Sequence, residues 1–165
     1  MSDTYVECLV QRKASLLMKV LKVVLIAITI ACGLLGLMGI IEFLLIAIVA
    51  GIAAYFVFLN ADIEYEYLYL DKEITIDKVM AKSTRKRVGT YKVERIEIFA
   101  PIKSYHLGDF KNRMVKEVDC SGGEVAQPDD RYVLYYEGGE KIILSPSKEL
   151  VNAVRNVAPR KVFLD

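Results

Sequence analysis

The pattern of apolar and polar positions divides the chain into one long apolar run and a series of short alternating segments. From Val23 to Ala61 the only charged residue is Glu42. A helix rises about 1.5 Å per residue, so a straight helix over this run would be about twice as long as the hydrocarbon core of a bilayer is thick. The run therefore predicts two membrane helices that fold back on each other, and it indicates an integral membrane protein with one small additional domain.

The fold-back is predicted at "GLMGIIEF", where Gly36 and Gly39 weaken the helix and Glu42 requires water. We expect the first span near Leu16–Met38 and the second near Phe43–Leu59. Glu42 is interpreted as a turn residue at the membrane interface, because no second ionisable residue in the run would partner it; the alternative is a functional carboxylate inside the membrane. The second span is short, so a re-entrant hairpin that does not cross the bilayer is an alternative to two full crossings.

Small residues along both predicted helices would let their backbones approach closely. They are Gly33 and Gly36 in the first helix and Gly51, within "AGIAA", in the second. Lipid is as apolar as the helices themselves, so close packing of small residues is a main source of helix association in membranes. The sequence therefore predicts a closely packed hairpin.

Basic residues flank the hairpin at its open ends and are absent from its connecting loop. Cytoplasmic segments of membrane proteins carry an excess of Lys and Arg. We therefore expect a multi-pass protein of the cell membrane with both termini in the cytoplasm. The basic residues are Arg12, Lys13, Lys19 and Lys22 before or at the start of the first span, and Lys72 and Lys78 after the second.

Beyond Asp62 the pattern changes to an alternation with a period of two, which is typical of strands. "EYEYLYLD" and "EITIDKVMA" predict two strands joined by a turn at Asp71-Lys72, "TYKVERIEIFA" predicts a third that ends at Pro101, and "RMVKEVDC" predicts a fourth. Three tyrosines lie on one face of the first strand, where we expect them near the membrane interface. They are Tyr65, Tyr67 and Tyr69.

The last part of the chain predicts a hairpin and a helix. In "RYVLYYEGGEKIILS", two apolar segments flank Gly138-Gly139, which suits a two-residue turn. In "SPSKELVNAVRNVAP", Ser145 is the expected N-cap, Pro146 the first helical residue and Pro159 the end signal. An apolar stripe along this helix is expected to cover a sheet; it consists of Leu150, Val151, Val154 and Val157.

The order of about six strands followed by one helix resembles that of bacterial pleckstrin-homology-like (PH-like) domains attached to a pair of membrane spans. The resemblance is carried by "YLYLDKEITIDKVMAKSTRKRVGTYKVERIEIF" and "YVLYYEGGEKIILSPSKELVNAVRN". It implies an α+β membrane protein in which a two-helix transmembrane hairpin precedes a small antiparallel PH-like barrel or sheet, capped by a C-terminal helix. It implies no catalytic residues. The expected domains are a cytoplasmic N-terminal segment (1–15), the hairpin (16–60, with its turn near 36–42) and a cytoplasmic PH-like domain (62–165).

A basic cluster lies in "KSTRKR", which we predict to be a turn after the second predicted strand, where the chain has returned towards the membrane. Its members are expected to contact anionic lipid headgroups, each contributing about 1 kcal/mol near the surface. Two alternatives remain: recognition of a specific phosphorylated headgroup, and a solvated turn whose charges deter edge pairing. The cluster consists of Lys82, Arg85, Lys86 and Arg87.

Composition excludes several other classes. The 22 Lys and Arg residues are balanced by 21 Asp and Glu residues, so a nucleic-acid partner is not expected. Cys8, Cys32 and Cys120 are widely separated and lack metal-ligand spacing, so neither a disulfide framework nor a metal or other cofactor is expected. The single histidine, His106, lies in a loop without a nucleophile motif and is interpreted as a surface residue.

These observations together favour a non-enzymatic, membrane-anchored module that binds or organises lipid headgroups or a protein partner at the cytoplasmic face. The alternative is a structural or assembly subunit that forms homo-oligomers through the glycine-lined hairpin and the β domain. An enzyme acting on a membrane substrate has less support in the sequence.

Overall fold

The computed structural model describes residues 5–12, 14–123 and 129–164. The chain forms two compact units, each described separately below. The hairpin unit is inserted into the sequence of the sheet unit, and a short turn of the later chain joins it. The sheet unit comprises Met1–Arg12, Glu64–Val79 and Arg85–Asp165, and the hairpin unit comprises Lys13–Ile63 and Met80–Thr84.

The hairpin unit consists of two helices, α1 (Leu16–Leu37) and α2 (Ile41–Ala61). Both are long and apolar enough to cross a membrane, and almost none of their residues is buried within the protein. The ammonium group of Lys22, near the start of α1, lies 4.3 Å from the ring centre of Phe58, near the end of α2. The helices are therefore antiparallel neighbours, which confirms the two predicted helices; α2 is two residues longer at each end than expected.

The connection between the helices depends on glycine. The amide of Met38 donates to the Leu34 carbonyl at 3.1 Å, and the amide of Gly39 donates to the Gly36 carbonyl at 3.2 Å. Gly39 has φ +105°, a backbone conformation that residues with a side chain adopt only with strain.

Glu42 lies in the first turn of α2, where a carboxylate interacts favourably with the positive end of the helix dipole.

The first sheet has four strands in the order β1-β2-β3-β4. Two residues with positive φ, Asp71 (49°) and Lys72 (62°), connect β2 to β3 and confirm the predicted turn. The strand β1 was not predicted. It is the neighbour of β2 in this sheet, although the whole hairpin separates the two strands in the sequence. The strands are β1 (Val6–Arg12), β2 (Ile63–Leu70), β3 (Glu73–Met80) and β4 (Thr84–Lys92).

The second sheet has the order β5-β7-β8-β6, in which β7 is antiparallel to β5 and β8, and β6 is parallel to β8. The prediction of a single strand in "TYKVERIEIFA" is wrong. A 3-10 turn at Val93–Arg95 ends β4 and directs the chain into β5, and the Val93 amide donates to the Lys72 carbonyl at 2.9 Å. The strands are β5 (Ile96–Pro101), β6 (Lys116–Asp119), β7 (Tyr132–Tyr136) and β8 (Glu140–Leu144).

The turn between β7 and β8 contains the two predicted glycines but is one residue longer than expected. Tyr136 pairs with Glu140, which leaves three residues in the loop. Gly138 and Gly139 have φ values of 106° and 84°, which explains why both are glycine.

The C-terminal helix, α3 (Lys148–Val157), begins two residues later than predicted. Its N-cap is Ser147, whose hydroxyl accepts a hydrogen bond from the Leu150 amide at 3.2 Å. Ser145, the predicted N-cap, is engaged elsewhere because its hydroxyl accepts from the Gly122 amide at 3.4 Å. The helix covers the core with Leu150, Val151, Ala153 and Val154, whereas Val157 is exposed.

The tyrosines of β2 lie in the core, so the expectation that they line the membrane interface is wrong. Tyr65, Tyr67 and Tyr69 are all buried. The Tyr67 hydroxyl donates to the Cys120 carbonyl and accepts from the Ser145 amide at 3.3 Å, so it links the first sheet to the ends of two strands of the second. Burial also raises the pKa of Tyr67, because the charged phenolate is disfavoured there.

Candidate functional site

The first cation of the basic cluster, Lys82, is the middle residue of the three-residue turn (81–83) between β3 and β4. Ala81 and Lys82 have φ values of 47° and 54°, which are uncommon for residues other than glycine. The amide of Ser83 donates to the Met80 carbonyl at 3.1 Å and closes the turn. The amide of Ala81 donates to the carbonyl of Asp62, the residue after α2, at 2.8 Å. The turn is thus held at the end of the second helix.

The other three cations lie on a strand. The prediction that "KSTRKR" is a turn is wrong for Arg85, Lys86 and Arg87, which are exposed residues of β4. The turn is shorter than expected because Ala81 and Lys82 adopt the left-handed conformation that reverses the chain within few residues.

Arg85 forms an ion pair with a nearly buried carboxylate on β2. Its Nη2 atom lies 2.7 Å from Oε2 of Glu66, and the Glu66 side chain is only 14% exposed. Burial raises the pKa of Glu66, a hydrogen bond with Glu7 on β1 raises it further, and the positive charge of Arg85 opposes both effects.

Arg87 has a similar partner on β3. Its Nε atom donates to Oδ1 of Asp77 at 3.1 Å, and the Asp77 side chain is 12% exposed. The positions of Glu66 and Asp77 in strands whose opposite face is apolar were visible in the sequence, but we did not predict that they pair with the cluster. We call Glu66 and Asp77 the carboxylate pair, and Arg85 and Arg87 the arginine pair.

Lys82 and Lys86 differ from the arginines. Within residues 5–12, 14–123 and 129–164, neither lysine has an ion-pair partner. The four predicted residues are therefore of two kinds: the arginine pair, neutralised by the sheet, and these two lysines, which we call the lysine pair.

The three glycines that were expected to pack the helices have different surroundings. A Cβ atom on Gly36 would lie 3.1 Å from the Leu44 backbone nitrogen, and one on Gly51 would lie 3.6 Å from Thr29 Cγ2. A Cβ atom on Gly33 would meet no atom of the described chain within 4 Å. Of the three, only Gly36 lies so close to the other helix that an added Cβ atom would require Leu44 to move.

The surroundings of His106 are aromatic. Its ring centre lies 3.9 Å from that of Tyr105 and 3.8 Å from that of Phe163, and its amide donates to the Ser104 hydroxyl at 3.2 Å. Stacking between rings accounts for its position beside the C-terminal segment. The described part of the chain contains no group of His, Cys, Asp and Glu residues suited to hold a metal ion.

Comparison with known proteins identifies one family. A family model described as "Bacterial PH-like domain (DUF6106)" matches residues 2–164, which include β1, the hairpin and both sheets. No curated protein and no solved structure is detectably similar to the chain. The match extends over nearly the whole sequence, and two sheets followed by a C-terminal helix fit a PH-like fold. The chain therefore belongs to the bacterial PH-like domain family (DUF6106).

Proposed function

We propose that the protein is a non-enzymatic PH-like module, anchored in the cell membrane by its hairpin, that contacts anionic lipid headgroups at the cytoplasmic face through the β3–β4 turn and the start of β4. The observation that carries this proposal is the hydrogen bond from the Ala81 amide to the Asp62 carbonyl. Because Asp62 directly follows α2, Lys82, the residue after Ala81, is held at the end of the hairpin.

Anchoring is supported by the exposed apolar surface of the two helices. Soluble proteins rarely expose a large continuous apolar surface, and almost none of the residues of these two apolar helices is buried. Lys19 and Lys22 lie in the first turns of α1, whereas no Lys or Arg lies in the helix connection. By the positive-inside rule, the open end of the hairpin and both termini are cytoplasmic.

The reach of the chain brings the second lysine near the first. Lys86 follows Lys82 by four residues, so their Cα atoms are at most about 14 Å apart. Each cation near an anionic leaflet contributes about 1 kcal/mol, and the attraction decays over a Debye length of about 8 Å. The lysine pair would contribute about 2 kcal/mol. The hairpin already anchors the protein, so this energy would orient the sheet unit on the membrane.

The test uses the full chain, because a fragment that starts after the hairpin would lack β1. A fluorescent amino acid replaces Ser83, and the protein is inserted into nanodiscs whose lipids carry a quencher on the headgroup. We expect stronger quenching in discs that contain phosphatidylglycerol than in discs of phosphatidylcholine alone. The variant K82E/K86E should abolish this difference.

The matched control is K111E/K148E, which makes the same charge change at two exposed lysines elsewhere in the sheet unit. It should retain the difference between the two lipids. Equal quenching of the unaltered chain in neutral and anionic discs would contradict the proposal.

The second candidate function is an assembly subunit. It is supported by Gly33, which lies on α1 without a described neighbour and leaves a small residue on the outer surface of the hairpin. Cross-linking in native membranes would produce homo-oligomers if this function is correct, and G33L should abolish them. A monomer under all cross-linking conditions would contradict it.

A further inference from the structure

We infer that the basic surface formed by the β3–β4 turn and the start of β4 responds to the negative charge of the bilayer and does not select a headgroup. In this inference the lysine pair contacts the lipid, and the arginine pair stays in its ion pairs with the sheet. This inference rests on the proposed function and specifies its partner: an anionic lipid surface of any headgroup chemistry.

The arginine pair is retained because its partners are almost buried. The carboxylates of Glu66 and Asp77 are 14% and 12% exposed and lie 2.7 Å and 3.1 Å from Arg85 and Arg87, respectively. Removing the partner of a buried charge leaves that charge uncompensated, which is strongly unfavourable. Oε2 of Glu66 receives no well-aligned hydrogen bond within the described residues, so the charge of Arg85 is its main compensation. Transfer of either arginine to a lipid phosphate would leave its nearly buried carboxylate without a compensating positive charge.

The ion pairs also occupy part of the donor fork by which arginine selects phosphate. The planar guanidinium group recognises phosphate through two parallel hydrogen bonds, which makes the contact specific in geometry. Here Nη2 of Arg85 and Nε of Arg87 already face carboxylate oxygens. The two arginines and the carboxylate pair together carry no net charge, so they offer little attraction to a multiply charged headgroup.

The lysine pair has the opposite properties. A lysine ammonium is a compact charge on a flexible stem, without the fixed fork of arginine. Neither lysine has an ion-pair partner in the part of the chain that the structure describes, so both charges act on the surroundings. Two flexible point charges respond to the local density of negative charge, which is the same for different anionic lipids at equal charge.

The experiment extends the quenching assay at Ser83 to a comparison of headgroups. Nanodiscs of equal total charge contain phosphatidylglycerol, phosphatidylserine or a phosphatidylinositol phosphate. We expect equal quenching in all three and equal loss of quenching as salt is added. We call the additional quenching in anionic discs, relative to neutral discs, the anionic increment. The variant K82Q/K86Q should lose this increment in every disc.

Two charge-balanced variants test the role of the arginines without leaving a buried charge. They are R85Q/E66Q and R87Q/D77N, each of which removes one complete ion pair. Both should keep the anionic increment at its original size, and circular dichroism establishes that they are folded. Loss of the increment in a folded variant would overturn the inference.

The outcomes separate this inference from the proposed function. Equal quenching of the unaltered chain in neutral and anionic discs overturns both. An anionic increment that is several-fold larger for the phosphatidylinositol phosphate at equal charge overturns only the inference, and it would show that a phosphorylated headgroup is selected.

Discussion

The substitution Gly36→Ala tests the packing of the hairpin directly. A Cβ atom at this position would lie 3.0 Å from Leu44 Cδ1, 3.1 Å from Leu44 N and 3.3 Å from Leu44 Cα. The side-chain carbon could move aside, but the two backbone atoms belong to α2 and can yield only if the helices separate. Overpacking of this kind costs about 1–3 kcal/mol.

The net change must include helix propensity. Alanine is more favourable than glycine within a helix by about 0.8–1.0 kcal/mol, so Gly36→Ala should change the free energy of unfolding by between about 0 and −2 kcal/mol. Gly33→Ala gains the same propensity without a contact and should stabilise the hairpin by up to about 1 kcal/mol. The difference between the two variants, about 1–3 kcal/mol, isolates the steric term.

The assay is equilibrium unfolding of the full chain in mixed micelles with increasing SDS, followed by far-UV circular dichroism. Gly51→Ala is a second control, because its Cβ atom would make an ordinary contact at 3.6 Å with Thr29. We expect it to behave like Gly33→Ala. Equal free energies of unfolding for Gly36→Ala and Gly33→Ala would refute the close approach of the helices.

Three further predictions concern the sheet unit and the turn. Tyr67→Phe should lower the free energy of unfolding by about 1–3 kcal/mol in chemical denaturation, because the Cys120 carbonyl and the Ser145 amide lose their hydroxyl partner; an unchanged value would contradict this role. Ala81→Gly should raise the melting temperature, since it relieves a positive φ of 47° at a gain of up to about 1 kcal/mol; a lower melting temperature would count against strain in the turn. Burial raises the pKa of Tyr91 from 10.0 to about 12, so the unfolded chain ionises first. Its stabilising contribution is complete below pH 10 and is lost as the pH rises towards about 12, which alkaline denaturation should show as a loss greater than that of Tyr91→Phe.

The elements that could be predicted from the sequence are those whose signals are local. The long apolar run, in which Glu42 is the only charged residue, requires two helices, and Gly39 marks their connection because its φ is positive. The alternation on either side of Asp71-Lys72 defines both a hairpin and its turn. In each case the residues that give the signal also form the element.

The elements that could not be predicted depend on contacts between distant parts of the chain. The strand β1 alternates from Val6 to Val10, but its neighbour in the sheet follows only after the whole hairpin. Either Ser145 or Ser147 could cap α3 by local rules, and the hydrogen bond of Ser145 with Gly122 accounts for the choice. These contacts join residues far apart in the sequence, so they can be identified only from the folded structure.

The same limit applied to the candidate site. A run of Lys and Arg residues identifies a basic segment, but it does not reveal which charges the fold compensates. Arg85 reaches Glu66 across a strand, a relation that depends on the register of the first sheet. The sequence therefore located the cluster, whereas the division into arginine and lysine pairs required the structure.

The insertion of the hairpin between β1 and β2 has a consequence for biogenesis. During synthesis β1 emerges first, and about 50 residues must follow before β2 exists, which takes about 3–10 s at ordinary translation rates. The whole hairpin is synthesised during this interval, while β1 has no neighbouring strand. The first sheet can therefore be completed only after the whole hairpin has been synthesised, so any insertion of the hairpin into a membrane during synthesis precedes the pairing of β1 with β2.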